Sequence, residues 1–216
     1  LVFGAMPIVP FFAGESTLKI IAALCVVYLI AVYATDVFSK GKLDYALSSS
    51  TFMGVFYIAV SFTSIVLLRG EGKYLYLLVF IGPWVSDTFA YIFGRLLGKH
   101  KLIPEVSPKK TVEGSVAGIV FAALSYVLYA FIISKNFDTA ATPNYIVMAV
   151  SGALVSVVSQ VGDLSASAVK RHFGIKDYGF IFPGHGGVMD RFDSVIMTAP
   201  ILYIISQLPI TAGFLI

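Results

Sequence analysis

Residues 74–93 read YLYLLVFIGPWVSDTFAYIF, twenty residues that carry a single charge, at Asp87. A helix of about 20 residues is about 30 Å long, the thickness of a bilayer's hydrocarbon core, so this run reads as a membrane-spanning helix. A lone carboxylate at depth costs at least about 2.5–3.5 kcal/mol, which turns Asp87 towards the bundle interior or a polar cavity. On a helix Asp87, Tyr91 and Arg95 fall along one face, and Pro83 stands just before them, where it can bend the helix. A plainer alternative is that Asp87 pairs with Arg95 or a neighbouring helix and only fixes packing.

The rest of the chain has the same character. Of its 216 residues 58% are apolar and 12% charged, against roughly 25% charged in an ordinary globular domain. Lipid is therefore the expected solvent for most of the surface. Further spans are read at Leu18–Ala34, Thr51–Leu68, Ser115–Ser134, Tyr145–Val161 and Ser194–Leu208. Residues Leu1–Ala13, broken by Pro7 and Pro10, read as the tail of another span or a re-entrant piece. The apolar runs lack period-2 alternation, so helices fit better than a barrel.

The expected fold is all-α: a polytopic membrane bundle of at least six transmembrane helices, forming a single catalytic domain over residues 1–216. The opening LVFGAMPIVPFF has neither an initiator Met nor a basic region, so an N-terminal portion is expected to be missing. A net charge of +3 without a basic tail argues against nucleic acid as a partner. Cys25 is alone in an apolar run, which excludes an intrachain disulfide and points away from redox chemistry.

Charge counting orients the bundle. The connections after the first, third and fifth spans share one face. They carry Lys40 and Lys42; Arg95, Lys99, Lys101, Lys109 and Lys110; and Lys170, Arg171, Lys176 and Arg191, eleven in all. The other face has four, Lys19, Arg69, Lys73 and Lys135. The positive-inside rule puts the eleven-charge face in the cytoplasm. Two charge-rich connections, Arg95–Gly114 and Gly162–Asp193, then lie in one compartment and can build one site.

Both connections hold residue types suited to phosphate. Ser107, Lys109, Lys110 and Thr111 stand just before a membrane helix, where ammonium groups, hydroxyls and first-turn N–H groups can all meet anionic oxygen. A juxtamembrane basic cluster that binds anionic headgroups or merely sets topology reads equally well. In the second connection Asp163, Ser167 and Lys170 share a helical face, with Arg171 beside them, and Asp190 and Asp193 are three apart. Carboxylates so spaced suit Mg2+, a hard cation that often takes only one or two protein ligands and completes its shell with water and phosphate. Between them Pro183-Gly-His-Gly-Gly187 is a turn that lets backbone approach a ligand closely. No Cys/His set suggests zinc. A solvated loop with internal Asp–Lys/Arg pairs is the bland alternative, and it leaves the intramembrane Asp87 unexplained.

The gapped run Ser167-Ala-Val-Lys-Arg171, Lys176-Asp177 and Pro183-Gly-His-Gly-Gly-Val-Met-Asp-Arg-Phe-Asp193 resembles the signature of the phosphatidate cytidylyltransferases, the CDP-diacylglycerol synthases. Ser86-Asp-Thr-Phe-Ala-Tyr91 with Gly94-Arg95, and Ser107-Pro-Lys-Lys-Thr-Val-Glu-Gly114, are similar to supporting stretches of that family. Ser165 and Val112 depart mildly from it, since a larger residue and an aromatic are usual there.

The resemblance implies that CTP and phosphatidate condense to CDP-diacylglycerol and pyrophosphate, with Mg2+, at the cytoplasmic side of a bacterial inner membrane. It implies a metal held by Asp163, Asp190 and Asp193, with Asp87 close by. It further implies phosphate contacts from Lys170, Arg171, Lys176, Lys109 and Lys110, and a hydrogen bond from His185. Asp177, Arg191, Gly186 and Gly187 belong to the same expected site, and Ser107, Thr111 and Ser167 line it. A second, monovalent cation stays open, and so does a homodimer, because Gly-x-x-x-Gly spacings serve contacts within one chain as readily as between two. A CTP-using polyprenol-type kinase, and a transporter or scaffold without turnover, are the alternatives.

Overall fold

The computed structural model describes residues 6–10, 17–38, 45–138, 142–180 and 186–208. The chain forms two compact units, Leu1–Leu67 and Leu68–Ile216. The first holds a 3-10 turn (Met6–Ile8), α1 (Thr17–Phe38) and most of α2 (Tyr45–Glu71). Its buried Met6 and Ala59 pack with Ile21, Leu24, Cys25, Phe52 and Val55. The rings of Tyr28, Phe52 and Phe56 stack at 5.6 and 5.8 Å between centroids. Cys25 sits here as an apolar side chain.

The second unit carries α3 (Leu78–Leu97), β1 (Lys101–Ile103), β2 (Ser107–Thr111), α4 (Val112–Asn136), α5 (Tyr145–His172) and α6 (Met189–Ser206). Each helix packs on the next, and α3 also touches α5 and α6. The chain is an integral membrane protein. Phe52–Glu71, Leu75–Leu97, Val112–Asn136 and Tyr145–His172 are long and apolar enough to cross a bilayer, and Ile20–Thr35 is a shorter apolar helix. Helix α4 shows the pattern that lipid imposes. Gly114, Gly118, Ala122 and Ala130 face inward, while Val116, Val120, Leu124 and Leu128 are exposed. Large side chains outside and, apart from Tyr126 and Ile133, small ones inside let helix backbones approach closely, the arrangement expected where the surrounding solvent is itself apolar. At Gly118 an added Cβ would lie 2.9 Å from the Ser86 carbonyl, so the Gly114/Gly118 spacing is spent on the α3–α4 contact within this chain.

Several helix ends and one connection differ from the hydropathy reading. Helix α5 runs eleven residues beyond Val161, to His172, and α6 starts at Met189, before Ser194. Apolarity ends where lipid ends, whereas a helix ends where its backbone hydrogen bonds end, so both helices carry charged turns. The basic connection after α3 contains the antiparallel hairpin β1–β2, with Lys101 opposite Thr111 and Ile103 opposite Ser107. Pro83 lies inside a continuous α3. Proline lacks the N–H that would bond the Val79 carbonyl. The Thr198 hydroxyl of α6 lies 3.4 Å from that carbonyl while also donating to Val195 O at 3.0 Å.

Tyr126 is fully buried and donates to the Leu78 carbonyl at 2.7 Å, tying α4 to the start of α3. Tyr126→Phe should lower unfolding stability in detergent by about 1 kcal/mol, the net worth of one such bond. An unchanged thermal midpoint would remove that bond from the account of α3–α4 packing.

Candidate active site

The hairpin exists because its ends are tied. A two-stranded hairpin is marginal alone, but here Val112 N donates to the His100 carbonyl at 3.0 Å, closing the base. His100 also meets Glu113, with its N–H 3.3 Å from both carboxylate oxygens and Nδ1 2.7 Å from Oε1. Thr111 caps α4, its Oγ1 accepting from Gly114 N at 3.2 Å. The lysine-bearing strand is thereby held against the first turn of a membrane helix.

Hairpin, α3, α4 and α5 enclose a cavity of about 640 Å³. The α3 stripe Asp87, Tyr91 and Arg95 lines one side of it. Lys101, Ser107, Lys109, Lys110 and Thr111 come from the hairpin, Ser115 from α4, and Gln160 and Asp163 from α5. The two charge-rich connections thus meet in one cavity, joined by an ion pair from Lys110 Nζ to Asp163 Oδ2 at 2.5 Å. The Lys110 nitrogen itself is buried, although the side chain as a whole is partly exposed. The contact with Asp163 engages one N–H of the ammonium and leaves the other two to offer.

The cavity is floored by a polar network that welds three helices. Ser86 Oγ of α3 lies 2.7 Å from Ser156 Oγ of α5. Gln160 Nε2 donates to Ser115 O at 3.1 Å and to Ser156 Oγ at 3.3 Å, while Ser115 Oγ donates to Gln160 Oε1. A fully satisfied buried network of this kind rigidifies what it joins.

A second hollow of about 260 Å³ is lined by Asp87, Asp190, Arg191, Asp193 and Ser194, together with Trp84 and Thr88. Asp87 lines both spaces. Asp163, Asp193 and Lys110 all lie within electrostatic reach of Asp87. Asp163, Asp190 and Asp193 lie within reach of Lys170, which is 9% exposed. Asp193 Oδ1 accepts from Ser194 N at 2.8 Å, and Asp163 Oδ1 lies 3.5 Å from the Ser167 hydroxyl one turn on.

Asp190 differs from the others. Its Oδ1 takes Lys170 Nζ at 2.8 Å, and its Oδ2 takes the N–H groups of Tyr178 and Gly187 at 2.8 and 2.9 Å. Asp190 precedes the apolar run of α6. Burial pushes its carboxyl up, but the Lys170 ammonium and the two N–H donors outweigh burial and hold it below the usual carboxylate range.

Several expected residues lie elsewhere. Arg171 and Lys176 are exposed and line neither space, and Asp177 is half-buried outside both. Lys170 faces Asp190, not a cavity. Gly186 and Gly187 border Asp190, and His185 falls outside the described residues. Among the described residues no three His, Cys, Asp or Glu side chains are gathered as a ready-made metal site. Lys101, Ser115 and Gln160 line the cavity without having been expected there. Gln160 had a signal, since an amide inside an apolar span demands a partner. Lys101 had none, because its place depends on the hairpin.

The sequence model of the cytidylyltransferase family matches residues 1–208. The phosphatidate cytidylyltransferase of Staphylococcus haemolyticus is 34% identical over 210 residues, covering 94% of this chain and 78% of the relative. That of Staphylococcus saprophyticus is 40% identical over 169 residues, 78% of this chain and 63% of the relative. The Staphylococcus aureus protein is 37% identical over 174 residues, 81% and 65% respectively, so the chain spans a little under two thirds of the last two. With a match over nearly its whole length, the chain belongs to the cytidylyltransferase family.

Proposed function

We propose that this protein condenses CTP with phosphatidate to give CDP-diacylglycerol and pyrophosphate, at the cytoplasmic face of a bacterial cell membrane. The observation that carries the reading is the cavity in which Lys110 of the hairpin meets Asp163 of α5. It combines cationic walls for a triphosphate with carboxylates for a cation, and family membership supplies the nucleotide. The excess of Lys and Arg on the connections that build this cavity supports the cytoplasmic orientation.

In this reaction an oxygen of the phosphatidate phosphate forms a bond to the α-phosphorus of CTP, and the bond from that phosphorus to the bridging β-phosphate oxygen breaks. Pyrophosphate leaves. Two anions must meet in line, so alignment and charge neutralisation dominate. Arg95, Lys101, Lys109 and Lys110, with the Ser107 hydroxyl, are assigned to the triphosphate, and Arg171 and Lys176 to phosphate oxygens outside the cavity. No general base is required, because phosphatidate is already ionised near pH 7.

The donor set fits Mg2+: all-oxygen, anionic, and sparse enough to leave positions for water and phosphate. Asp163 and Asp193, with Asp87 beside them, are the residues assigned to hold it. When bound, the ion neutralises triphosphate charge and stabilises the departing pyrophosphate. Asp190 fits that task less well, since its oxygens already accept three protein donors. The Gly114/Gly118 contact is internal, so it lends no support to a dimer.

The test is incubation of purified protein with phosphatidate, Mg2+ and α-labelled CTP. Label should pass into the organic phase with one pyrophosphate released per lipid. Release of labelled CDP instead would mean γ-phosphate transfer and would overturn the assignment; no turnover would favour a transporter or scaffold.

A further inference from the structure

We infer that Asp190 is a positioning residue: with Lys170 and Tyr178 it forms a buried tie that fixes the chain on both sides of the α5–α6 connection, and it acts through Lys170. The geometry is closed. The Lys170 and Asp190 side chains are only 11% and 8% exposed. One carboxylate oxygen takes the ammonium, and the other takes two main-chain N–H groups nine residues apart in sequence, at Tyr178 and Gly187. A carboxylate offers about four acceptor positions, and three are committed here. Tyr178 adds two more links to α5: its ring centroid lies 5.2 Å from Lys170 Nζ, and its hydroxyl donates to the Ala166 carbonyl at 3.1 Å. Gly186 has φ +81°, and a Cβ there would come within 2.9 Å of Asp190 Oδ2, so the chain closes on this carboxylate more tightly than a side chain would allow.

The tie has a chemical consequence. Lys170 is within electrostatic reach of Asp163 and Asp193 as well as Asp190. While Asp190 holds the ammonium, Asp193 and Asp163, the latter paired with Lys110, face no competition from Lys170. Without Asp190, Lys170 turns to them and competes. This deepens the proposed function where activity and cation binding are measured; the tie itself does not depend on that reading.

The experiment uses the full chain in detergent, with Asp190→Asn, Lys170→Met and Tyr178→Ala. Tryptic cleavage at Arg171 and Lys176 is timed without nucleotide, and Mn2+ binding is followed by electron paramagnetic resonance. Cleavage should speed up about tenfold or more in Asp190→Asn, as local opening becomes easier. Tyr178→Ala removes no carboxylate and should also open the segment, so it carries the test if Asp190→Asn does not fold. The Lys170→Met/Asp190→Asn double variant should bind Mn2+ within about twofold of wild type and turn over no more slowly than Asp190→Asn, since coupled residues are not additive. Unchanged cleavage in all three variants, or Mn2+ affinity in the double variant reduced about tenfold or more as direct ligation by Asp190 requires, would overturn the inference. If wild type binds no Mn2+, the metal assignment fails, and cleavage alone still decides the tie.

Discussion

Lys110→Met should reduce kcat/KM for CTP on the order of 10³-fold, the upper end of what one preorganised charged donor contributes. The buried Lys110 nitrogen sits in the wall of the large cavity and faces Asp163 at 2.5 Å. With one N–H directed to Asp163, the ammonium has two more to offer an anion in the cavity. Methionine keeps most of the stem, so the α4–hairpin packing should survive. The loss should appear mainly in kcat if the ammonium meets charge that develops on the departing pyrophosphate, and mainly in KM if it only holds CTP. Initial rates over a range of CTP concentrations separate the two, and a variant with wild-type kcat/KM would remove Lys110 from the site.

Asp163→Asn should be as severe, again on the order of 10³-fold in turnover, and should also weaken Mn2+ binding by about tenfold or more. Asp163 is the one carboxylate on α5 that lines the large cavity, and it lies within electrostatic reach of Asp87 and Lys170 while pairing with Lys110. Asparagine preserves its shape and an acceptor for Ser167, so the helix should stay intact. What disappears is the charge that balances Lys110 and invites a cation. The double variant Lys110→Met/Asp163→Asn should lose less than the product of the single losses, because the two groups interact directly. Full multiplicative loss would mean that their ion pair has no functional weight.

Where a residue's place depends on a local period, it was readable. Asp87, Tyr91 and Arg95 were put on one helical face by their four-residue spacing, and all three line the same cavity. Asp163 and Ser167 likewise share a face, one turn apart on α5. The hairpin was not readable. Its strands have three and five residues, one of them containing Pro108, and nothing in KLI or SPKKT alternates. It persists because His100, Val112 and Glu113 close its base, contacts that no local pattern announces.

The sequence by itself determined the class of protein: long apolar runs that only lipid can solvate, a single carboxylate within one of them, and charge collected in two connections on one face. Those are properties of composition and of a helical repeat that every residue reports for itself. Only the tertiary structure decided how the charges divide. Lys110 goes to Asp163 and Lys170 to Asp190, across 53 and 20 residues of chain. In a low-dielectric interior each buried charge must find a partner. Which partner it finds is set by the approach of α3, α4, α5 and α6 at glycine and serine contacts, not by spacing along the chain.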